Sequence, residues 1–456
     1  MSVAPNIDAP VASPLSKKDR ILFLDAVRGI ALLGILLMNS MAQSQSGYFY
    51  ANMNLNQPIT GKNFWAWAIE IGVFEGTMRG LFSILFGAGT ILLINRLEKT
   101  RGHIDAADIY FRRILWLLLF GCINAFIFLW PGDILYSYAL CGLFLFPFRK
   151  LSPRALWIGV FLMLAFGTYR ENSGLYDHKA TITKGRQADL LKSRHKKLNK
   201  EQTADMEKWH TFRDKNTSKG MMKQASEDSA KVNTTLPKLF VYYRDLNMDI
   251  QSRGFYNSWW DMLLFFFIGI AVLKTGFLTG DKPTWQYILI AVIGIGFALS
   301  INYILMKMAY HSRFDNVIMT EQLWLDPYQI RRFAQTMGYL SLLILLYKVA
   351  PIRSILNIFT PVGQMAFTNY LSQSIITTVI FYIMGWYGSF QRYQIYEIVF
   401  GIWAFQIIFS TIWLKYFLFG PFEWVWRSLT YQKAQPFIRV RENVAPDSVS
   451  GTAANL

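Results

Sequence analysis

Two ionisable side chains, Asp25 and Arg28, lie inside an apolar run at residues 20–39. About twenty apolar residues form a helix long enough to cross a bilayer, so the run predicts a membrane span. Residues three apart share a helix face, and unpaired charge in hydrocarbon costs several kcal/mol, so we expect the two to pair. The pair has two interpretations: a structural ion pair that docks the first span, or a site for an anionic ligand on the cytoplasmic side.

A second group of charges lies in the next apolar segment, residues 65–94. Glu75 precedes Arg79 by four residues, the order that favours an ion pair on one helix face. With Glu70, three ionisable groups fall within ten residues. This density favours a functional pocket over a simple structural pair.

The polar residues within the predicted membrane region fall into two sets once the spans are oriented. The set nearer the cytoplasm is Asp25, Arg28, Gln364, Thr368, Asn369 and Gln373. The set nearer the outside is Asn39, Glu70, Glu75, Asn124 and Asp133. This distribution predicts a polar cavity with an entry at each face, which suits either an acyl transfer across the membrane or a transporter. For Asn369 an interhelical hydrogen bond is favoured over a ligand contact.

The composition predicts the class of protein that positions these residues. The chain has 456 residues, of which 53% are hydrophobic, and a net charge of +17. The basic residues fall in loops between apolar runs, which indicates membrane orientation and excludes nucleic acid as a partner. Cys122 and Cys141 lie inside apolar runs and are expected to pack in the core, without a disulfide or metal site.

The apolar runs predict an all-α polytopic membrane protein with about ten transmembrane helices and a soluble helical insertion. The predicted spans are 20–39, 65–94, 114–130, 134–148, 155–169, 259–277, 287–306, 333–349, 362–384 and 395–419. The predicted domains are a disordered cytoplasmic N-terminus (1–19), a five-span bundle (20–170), an extracytoplasmic insertion (171–258), a second five-span bundle (259–419), and an interfacial helix with a cytoplasmic tail (420–456).

Lysine and arginine concentrate in alternate loops, which predicts that both termini lie on the cytoplasmic side of the membrane. The loop at 307–332 departs from this alternation, and the long insertion is exempt from the rule. The insertion carries His178, His195 and His210 among lysines without ligand spacing, so we expect a solvated surface and no metal site.

Five ordered motifs resemble the YeiB-like bacterial membrane proteins, catalogued as domain of unknown function 418. They are LDAVRGIA (24–31), FSILFGAG (82–89), WPGDILYSYA (130–139), GQMAFTNYLSQ (363–373) and GPFEWVWRSL (420–429). More distantly, the opening LDxxRG resembles transmembrane acyltransferases that modify envelope or lysosomal sugars. That resemblance implies a cytoplasmic acyl-CoA donor, not tightly bound, and a histidine on the far side that assists the attacking group.

The predicted spans contain no histidine. Asn39 stands eleven residues after Arg28, where the similar sugar acyltransferases carry theirs, and Asn124 takes a position that is often histidine in YeiB-like relatives. Asparagine cannot act as a general base, so Glu70, Glu75 and Asp133 are the remaining candidates.

Three functions follow as hypotheses. The first is an acyltransferase-like protein that moves an acyl group from acyl-CoA to an envelope glycan or lipid. Its predicted catalytic residues are Glu75, Asp133 and Asn39, and its predicted binding residues are Asp25, Arg28, Arg79, Asn124, Asn369 and Gln373. The second is a transporter or flippase of a small metabolite or lipid-linked group, and the third is a membrane scaffold. Membrane lipids are expected partners in each case, and the oligomeric state stays open.

Overall fold

The computed structural model describes residues 22–55 and 58–439. The predicted disordered segment 1–19 and the end of the predicted tail lie outside these residues. The described chain is all-helical and has no strand, which confirms the predicted fold class; a single antiparallel bridge joins Phe417 to Ile438.

The N-terminal half of the bundle consists of eight helices. They are α1 (Leu22–Ser44), α2 (Gly47–Ala51), α3 (Gly61–Ile69), α4 (Thr77–Arg101), α5 (His103–Phe126), α6 (Ile134–Leu143), α7 (Leu145–Phe148) and α8 (Pro153–Ser193). A π-helical turn, Glu70–Phe74, joins α3 to α4. Ser152 starts α8 by accepting a hydrogen bond from the backbone of Ala155, and Pro153 occupies the first turn, where its missing N–H costs nothing.

The insertion is helical, and it packs against the bundle. It comprises the end of α8 with α9 (Lys200–Asn216), α10 (Ser218–Val232) and α11 (Leu236–Asp249). The Ser46 hydroxyl donates to Asp228 at 3.0 Å, and the Tyr243 hydroxyl donates to that of Tyr382 at 2.7 Å. These contacts tie α10 to the residue that precedes α2 and α11 to the π-helical turn Val379–Ile383.

The C-terminal half contains α12 (Phe255–Lys274), α13 (Thr284–His311), α14 (Asn316–Gln322), α15 (Tyr328–Lys348), α16 (Ala350–Leu356), α17 (Thr360–Gln364), α18 (Ala366–Thr378), α19 (Arg392–Tyr416) and α20 (Pro421–Tyr431). Helix α12 is the central helix, because every residue from Trp260 to Val272 is buried. By contrast, α13 exposes large apolar side chains such as Val292 and Ile293, which is typical of a surface that faces lipid.

Six helical segments in the described chain are long and apolar enough to cross a membrane. They are Leu22–Ser44, Gly61–Arg101, His103–Phe126, Leu236–Lys274, Thr284–His311 and Arg392–Tyr416. A seventh is counted if α15 and the segment Ala350–Gln364, bent by 117°, form one span. The predicted count of ten is therefore not confirmed. One reason is that the predicted fourth span contains only a ten-residue apolar helix, Ile134–Leu143.

Candidate functional site

Asp25 and Arg28 pair as predicted. The Arg28 guanidinium donates to the Asp25 carboxylate at 2.7 Å, and 28% of the Arg28 side chain stays exposed. Two further arginines, Arg113 of α5 and Arg427 of α20, lie in the same region. The positive charges of Arg28 and Arg427 both act on the guanidinium group of Arg113. We call Arg28, Arg113 and Arg427 the Arg28 cluster. Sequence reasoning missed the last two, although both lie in segments that it identified as basic.

Arg113 adds a positive charge beside the Asp25–Arg28 pair. Arg113 stacks on the ring of Trp426 at 3.6 Å and makes no ion pair within the described chain. Asp25 is already bonded to Arg28. Guanidinium groups with donors left over match the oxygens of phosphate and carboxylate groups. The arrangement is therefore suited to binding an anion.

Glu423 is the other carboxylate near the Arg28 cluster, and its oxygens point to a different partner. It accepts hydrogen bonds from the backbone N–H groups of Phe367 and Thr368 at 2.7 and 3.0 Å, and from the Thr368 hydroxyl. Its negative charge stabilises the N-terminal end of α18. Burial raises the pKa of Glu423, and the bonds from Thr368 and Phe367 oppose the rise. Glu423 belongs to the motif GPFEWVWRSL (420–429), but no role for it was predicted from the sequence.

Asn369 and Gln373 hold α18 against α19. Asn369 donates to the hydroxyl of Ser410 at 2.9 Å and to the carbonyl of Val362 at 3.2 Å. Gln373 donates to Gln406 at 2.9 Å, and Gln406 in turn donates to the carbonyl of Asn369 at 2.8 Å. These are the interhelical hydrogen bonds favoured for Asn369 from sequence. Both amides are buried, and their role as ligand contacts stays a prediction.

Asp133 and Asn124 meet in a buried hydrogen-bonded group. Asn124 and the Tyr370 hydroxyl donate to one carboxylate oxygen of Asp133 at 2.8 and 3.0 Å. The backbone N–H of Tyr136 donates to the other at 2.8 Å, so Asp133 caps α6. Burial raises the pKa of Asp133 to about 7, against the lowering effect of these donors. The value suits a general base, but Asp133 is only 1% exposed.

The predicted Glu75–Arg79 ion pair is wrong. Glu75 ends the π-helical turn and Gly76 takes a φ of +71°, so the helix is interrupted between the two residues. The four-residue spacing therefore no longer places them on one face. Glu75 instead accepts from Arg331 at 3.1 Å, and Arg79 donates to Asp261 at 3.2 Å.

Adjacent arginines at the start of α15 organise this second charged region. Arg331 also donates to Asn302 at 2.6 Å, and Arg332 pairs with the second oxygen of Asp261. Both guanidinia are almost completely buried. The sequence signal was the pair of adjacent arginines just before the predicted span at 333–349. That pair was assigned to the loop at 307–332. Two buried arginines next to each other are costly unless carboxylates match them, as Glu75 and Asp261 do here.

Glu70 has a partner that sequence reasoning did not identify. Its carboxylate is fully buried and pairs with the equally buried Arg392 at the start of α19. Arg392 also donates to the carbonyls of Phe49 and Tyr50 at 3.3 and 3.4 Å. The pair links α19 to the turn before α4, and it is enclosed by protein.

The structure therefore distributes the predicted site residues among separate groups. Asp25 and Arg28 lie in the Arg28 cluster, and Glu75 and Arg79 lie in the second charged region. Asn124 and Asp133 form a third group at the N-terminal end of α6. Asn39 is half-buried on α1. Across residues 22–55 and 58–439, no three His, Cys, Asp or Glu side chains form a group that could hold a metal ion.

Helix α1 passes the start of α4. A Cβ atom added at Gly34 of α1 would meet the side chain of Met78, which immediately precedes Arg79. Gly34 is six residues from Arg28, and a helix rises 1.5 Å per residue, so the Cα atoms of Arg28 and Gly34 are about 9 Å apart along the axis of α1.

Comparison with known proteins identifies the family. The model of the family described as "Protein of unknown function (DUF418)" matches residues 272–433. The chain is 31% identical over 450 residues to "Uncharacterized protein YxaH" of Bacillus subtilis (strain 168), covering 93% of this chain and 98% of that protein. It is 28% identical over 433 residues to "Uncharacterized protein YeiB" of Escherichia coli (strain K12), covering 92% and 98%. No solved structure matches the chain. Because the likeness to YxaH extends over almost the full length of both proteins, the chain belongs to the YeiB-like DUF418 family.

Proposed function

We propose that the chain is a membrane-embedded acyltransferase that takes an acyl group from cytoplasmic acyl-CoA and passes it to an envelope acceptor. The observation that carries this proposal is the Arg28 cluster, in which α1, α5 and α20 bring three arginines together. CoA carries several phosphate groups, and arginine is the side chain best matched to phosphate oxygens. The cluster lies at the end of the bundle that the positive-inside rule assigns to the cytoplasm.

A further basic residue, Arg353, supports a binding site for a ligand with several negative charges. The charges of Arg353 and Asp25 both act on Tyr347, so Arg353 lies at the same end of the bundle as the Arg28 cluster. It belongs to the segment after α15, separated from Arg28 by more than 300 positions in sequence. A multiply charged donor needs such convergence from several helices, because Arg28 alone could not neutralise it.

A transporter or flippase of a small metabolite or lipid-linked group is the second candidate. The observation that favours it concerns the predicted bases: Glu75 is bonded to Arg331, and both oxygens of Asp133 are occupied. Asn39 cannot take a proton at working pH. A protein that only moves its ligand needs no base.

The test is acyl-CoA binding and turnover by the purified full chain in nanodiscs. We expect saturable binding of acetyl-CoA that weakens about tenfold in Arg28→Gln and Arg113→Gln, because each loses one charge-assisted contact. The matched control is Arg154→Gln, an exposed arginine at the same end of the bundle with the same change of charge. Arg113→Lys keeps the charge but loses the planar fork, so it separates phosphate geometry from charge alone.

Release of free CoA when envelope lipids are added would support the acyltransferase. Absence of acyl-CoA binding, in protein whose thermal unfolding matches wild type, would overturn it. Uptake assays in vesicles would then test the transporter.

A further inference from the structure

A pocket opens beside the second charged region, and nothing described so far uses it. Its volume is about 290 Å³, and its lining includes Arg79, Arg170, Glu171, Ser258, Asp261 and Tyr328. We call it the Glu171 pocket. Helices α4, α8, α12 and α15 each contribute to it, so its lining residues are distant from one another in sequence.

The Glu171 pocket lies where helices pass from apolar to polar surroundings. Glu171 follows the apolar run at 155–169, and Ser258 and Tyr328 lie in the first turns of α12 and α15. Tyr169 and Tyr256 flank it, with 69% and 72% of their surface exposed. Tyrosine concentrates at the level of lipid headgroups. A ligand in this pocket would therefore sit at the membrane–water interface.

Two arginines of the pocket keep hydrogen-bond donors that an anion could use. Asp261 is shared by two guanidinia, since Arg332 binds one carboxylate oxygen and Arg79 the other at 3.2 Å. Arg79 keeps 37% of its side chain exposed. Arg170 is exposed and makes no ion pair with any residue in the described ranges. Two guanidinia with donors to spare therefore face the same opening.

Glu171 adds a carboxylate, which accepts hydrogen bonds, beside these guanidinium donors. One carboxylate oxygen accepts from Gln329 at 2.7 Å, and the other is buried with no hydrogen-bond partner among residues 22–55 and 58–439. A buried oxygen without a partner is destabilising, so such a group in a pocket indicates a missing donor. Burial raises the pKa of Glu171 to about 7; the Gln329 hydrogen bond opposes the rise and the charge of Asp326 adds to it.

We infer that the Glu171 pocket binds a phosphate-bearing headgroup, with phosphate oxygens on Arg79 and Arg170 and a hydroxyl or amine hydrogen on the free oxygen of Glu171. The ligand is either an outer-leaflet phospholipid or a soluble phosphate ester, because both present this pair of groups. The site differs from the Arg28 cluster in having a carboxylate oxygen that is buried without a hydrogen-bond partner in the described part of the chain.

The inference deepens the proposed function by naming the acceptor of the transfer, and its chemical step rests on that function. The acceptor oxygen or nitrogen attacks the thioester carbonyl carbon and forms the new ester or amide bond, while its proton passes to Glu171. The carbon–sulfur bond breaks, and the thiolate leaves as CoA after taking up one proton. Glu171 would supply the base that the missing histidine provides in similar enzymes.

The binding test uses the purified full chain without acyl-CoA. Phosphoethanolamine and phosphocholine are matched soluble probes, because both carry a phosphate and a cationic nitrogen but only the first has N–H donors. We expect wild type to prefer phosphoethanolamine about tenfold by calorimetry. Arg170→Gln should weaken both probes about tenfold, and Glu171→Gln should remove the preference. Lys184→Gln, an exposed site on the same helix, is the control.

A lipid arm distinguishes the two sources of the ligand. Protein is recovered from nanodiscs containing phosphatidylethanolamine and phosphatidylcholine, and native mass spectrometry counts the lipids retained. Retention of phosphatidylethanolamine that is lost in Arg170→Gln supports the pocket with a lipid ligand. Binding of the soluble probe without lipid retention supports it with a soluble ester.

Equal binding of the two soluble probes together with unselective lipid retention would overturn the inference, as would an unchanged Arg170→Gln. Arg170 makes no ion pair with residues 22–55 and 58–439, so this variant should fold even if Arg79→Gln does not. Selective binding without CoA release would leave the pocket standing and remove the proposed function. CoA release unaffected by Arg170→Gln and Glu171→Gln would do the opposite.

Discussion

Gly29 of α1 and Gly363 of α17 pack backbone to backbone. A Cβ atom added at Gly363 would overlap the carbonyl oxygen of Asp25, and one added at Gly29 would overlap the carbonyl oxygen of Phe359. No side chain fits between the helices, so the two glycines set the position of Asp25 and Arg28. The turn of Arg28 towards the carbonyl of Gly363, at 3.5 Å, follows from this approach.

Gly363→Ala should therefore destabilise the protein by about 1–3 kcal/mol, because the atoms in the way belong to the backbone of another helix. Thermal unfolding in detergent measures the loss. Gly89→Ala and Gly296→Ala are matched controls, since nothing lies within 4 Å of a Cβ at either site. Their unfolding temperatures should stay equal to wild type or rise, because alanine is the better helix former. Equal behaviour of all three variants would contradict the close approach.

The buried Glu70–Arg392 pair gives a second prediction. Arg392→Gln leaves the Glu70 carboxylate without a countercharge in a fully buried site, at a cost of about 3–5 kcal/mol. The double variant Glu70→Gln with Arg392→Gln should recover part of that loss, because neither charge remains. Denaturant or thermal unfolding of the four proteins forms a double-mutant cycle.

The control for that cycle is Arg253→Gln. Arg253 bonds to Asp249 at 3.1 Å, but 83% of its side chain is exposed. Exposed ion pairs contribute at most about 1 kcal/mol, so its loss should be small. A loss in Arg253→Gln as large as in Arg392→Gln would mean that burial does not determine the energy of these pairs.

The sequence predicts the local parts of this molecule better than its long-range pairs. The Asp25–Arg28 pair depends on one helix, and its three-residue spacing was sufficient. The Glu75–Arg79 pair failed because Gly76 adopts a left-handed φ that hydropathy does not reveal. Arg79 pairs with Asp261, 182 positions away, and Glu70 with Arg392, 322 positions away, so no local pattern could assign either pair.

The same distinction applies to the candidate sites. The sequence placed Arg113 in the basic loop before the span at 114–130 and Arg427 in the interfacial helix after residue 419, but their meeting at Arg28 depends on how α5 and α20 pack. Glu171 was placed at the first position of a soluble insertion, because the apolar run stops at 169. The helix continues through that boundary to Ser193, which puts Glu171 at the interface between bundle and insertion. Periodicity and charge predict which residues such a region contains, but they do not predict which side chains from different helices meet there.

Glu171 makes stability depend on pH. Its pKa of about 7 in the folded protein lies above the ordinary value of 4.5. The unfolded chain therefore releases this proton first, and the Glu171 contribution to stability falls as pH rises from about 4.5 to 7. Arg170 on α8, Arg332 and Asp326 on or next to α15, Asp261 on α12 and Arg79 on α4 are the charged groups around it.

Glu171→Gln should raise the unfolding temperature at pH 8.5 by roughly 2 °C and leave it unchanged at pH 4.5, since glutamine carries no charge to desolvate. Thermal scans at both pH values measure this. Glu207→Gln, at an exposed site on α9, should show no such difference between the two pH values. A lower unfolding temperature for Glu171→Gln at pH 8.5 would indicate that the carboxylate is stabilised by its arginines rather than penalised by burial.

Glu423 couples the stability of α18 to the charge of the Arg28 cluster. Glu423→Gln keeps an oxygen for the backbone donors of Phe367 and Thr368 but replaces the oxygen that accepts from the Thr368 hydroxyl with a donor. We expect a loss of about 1 kcal/mol. The same change removes a negative charge that acts on Arg113, so the affinity for CoA should rise a few-fold. Stability and affinity therefore move in opposite directions.

Calorimetric titration with CoA and thermal unfolding of the same samples test that opposition. Glu423→Ala is the second variant, because it leaves three donors without an acceptor and should lose about 1–3 kcal/mol or more while gaining the same charge effect. Glu397→Gln, exposed on α19, should change neither quantity. If affinity falls together with stability in both Glu423 variants, Glu423 positions α20 and its arginine for the anion, and its charge is secondary. If affinity rises as stability falls, the carboxylate opposes the ligand and is retained because the N-terminal end of α18 requires it.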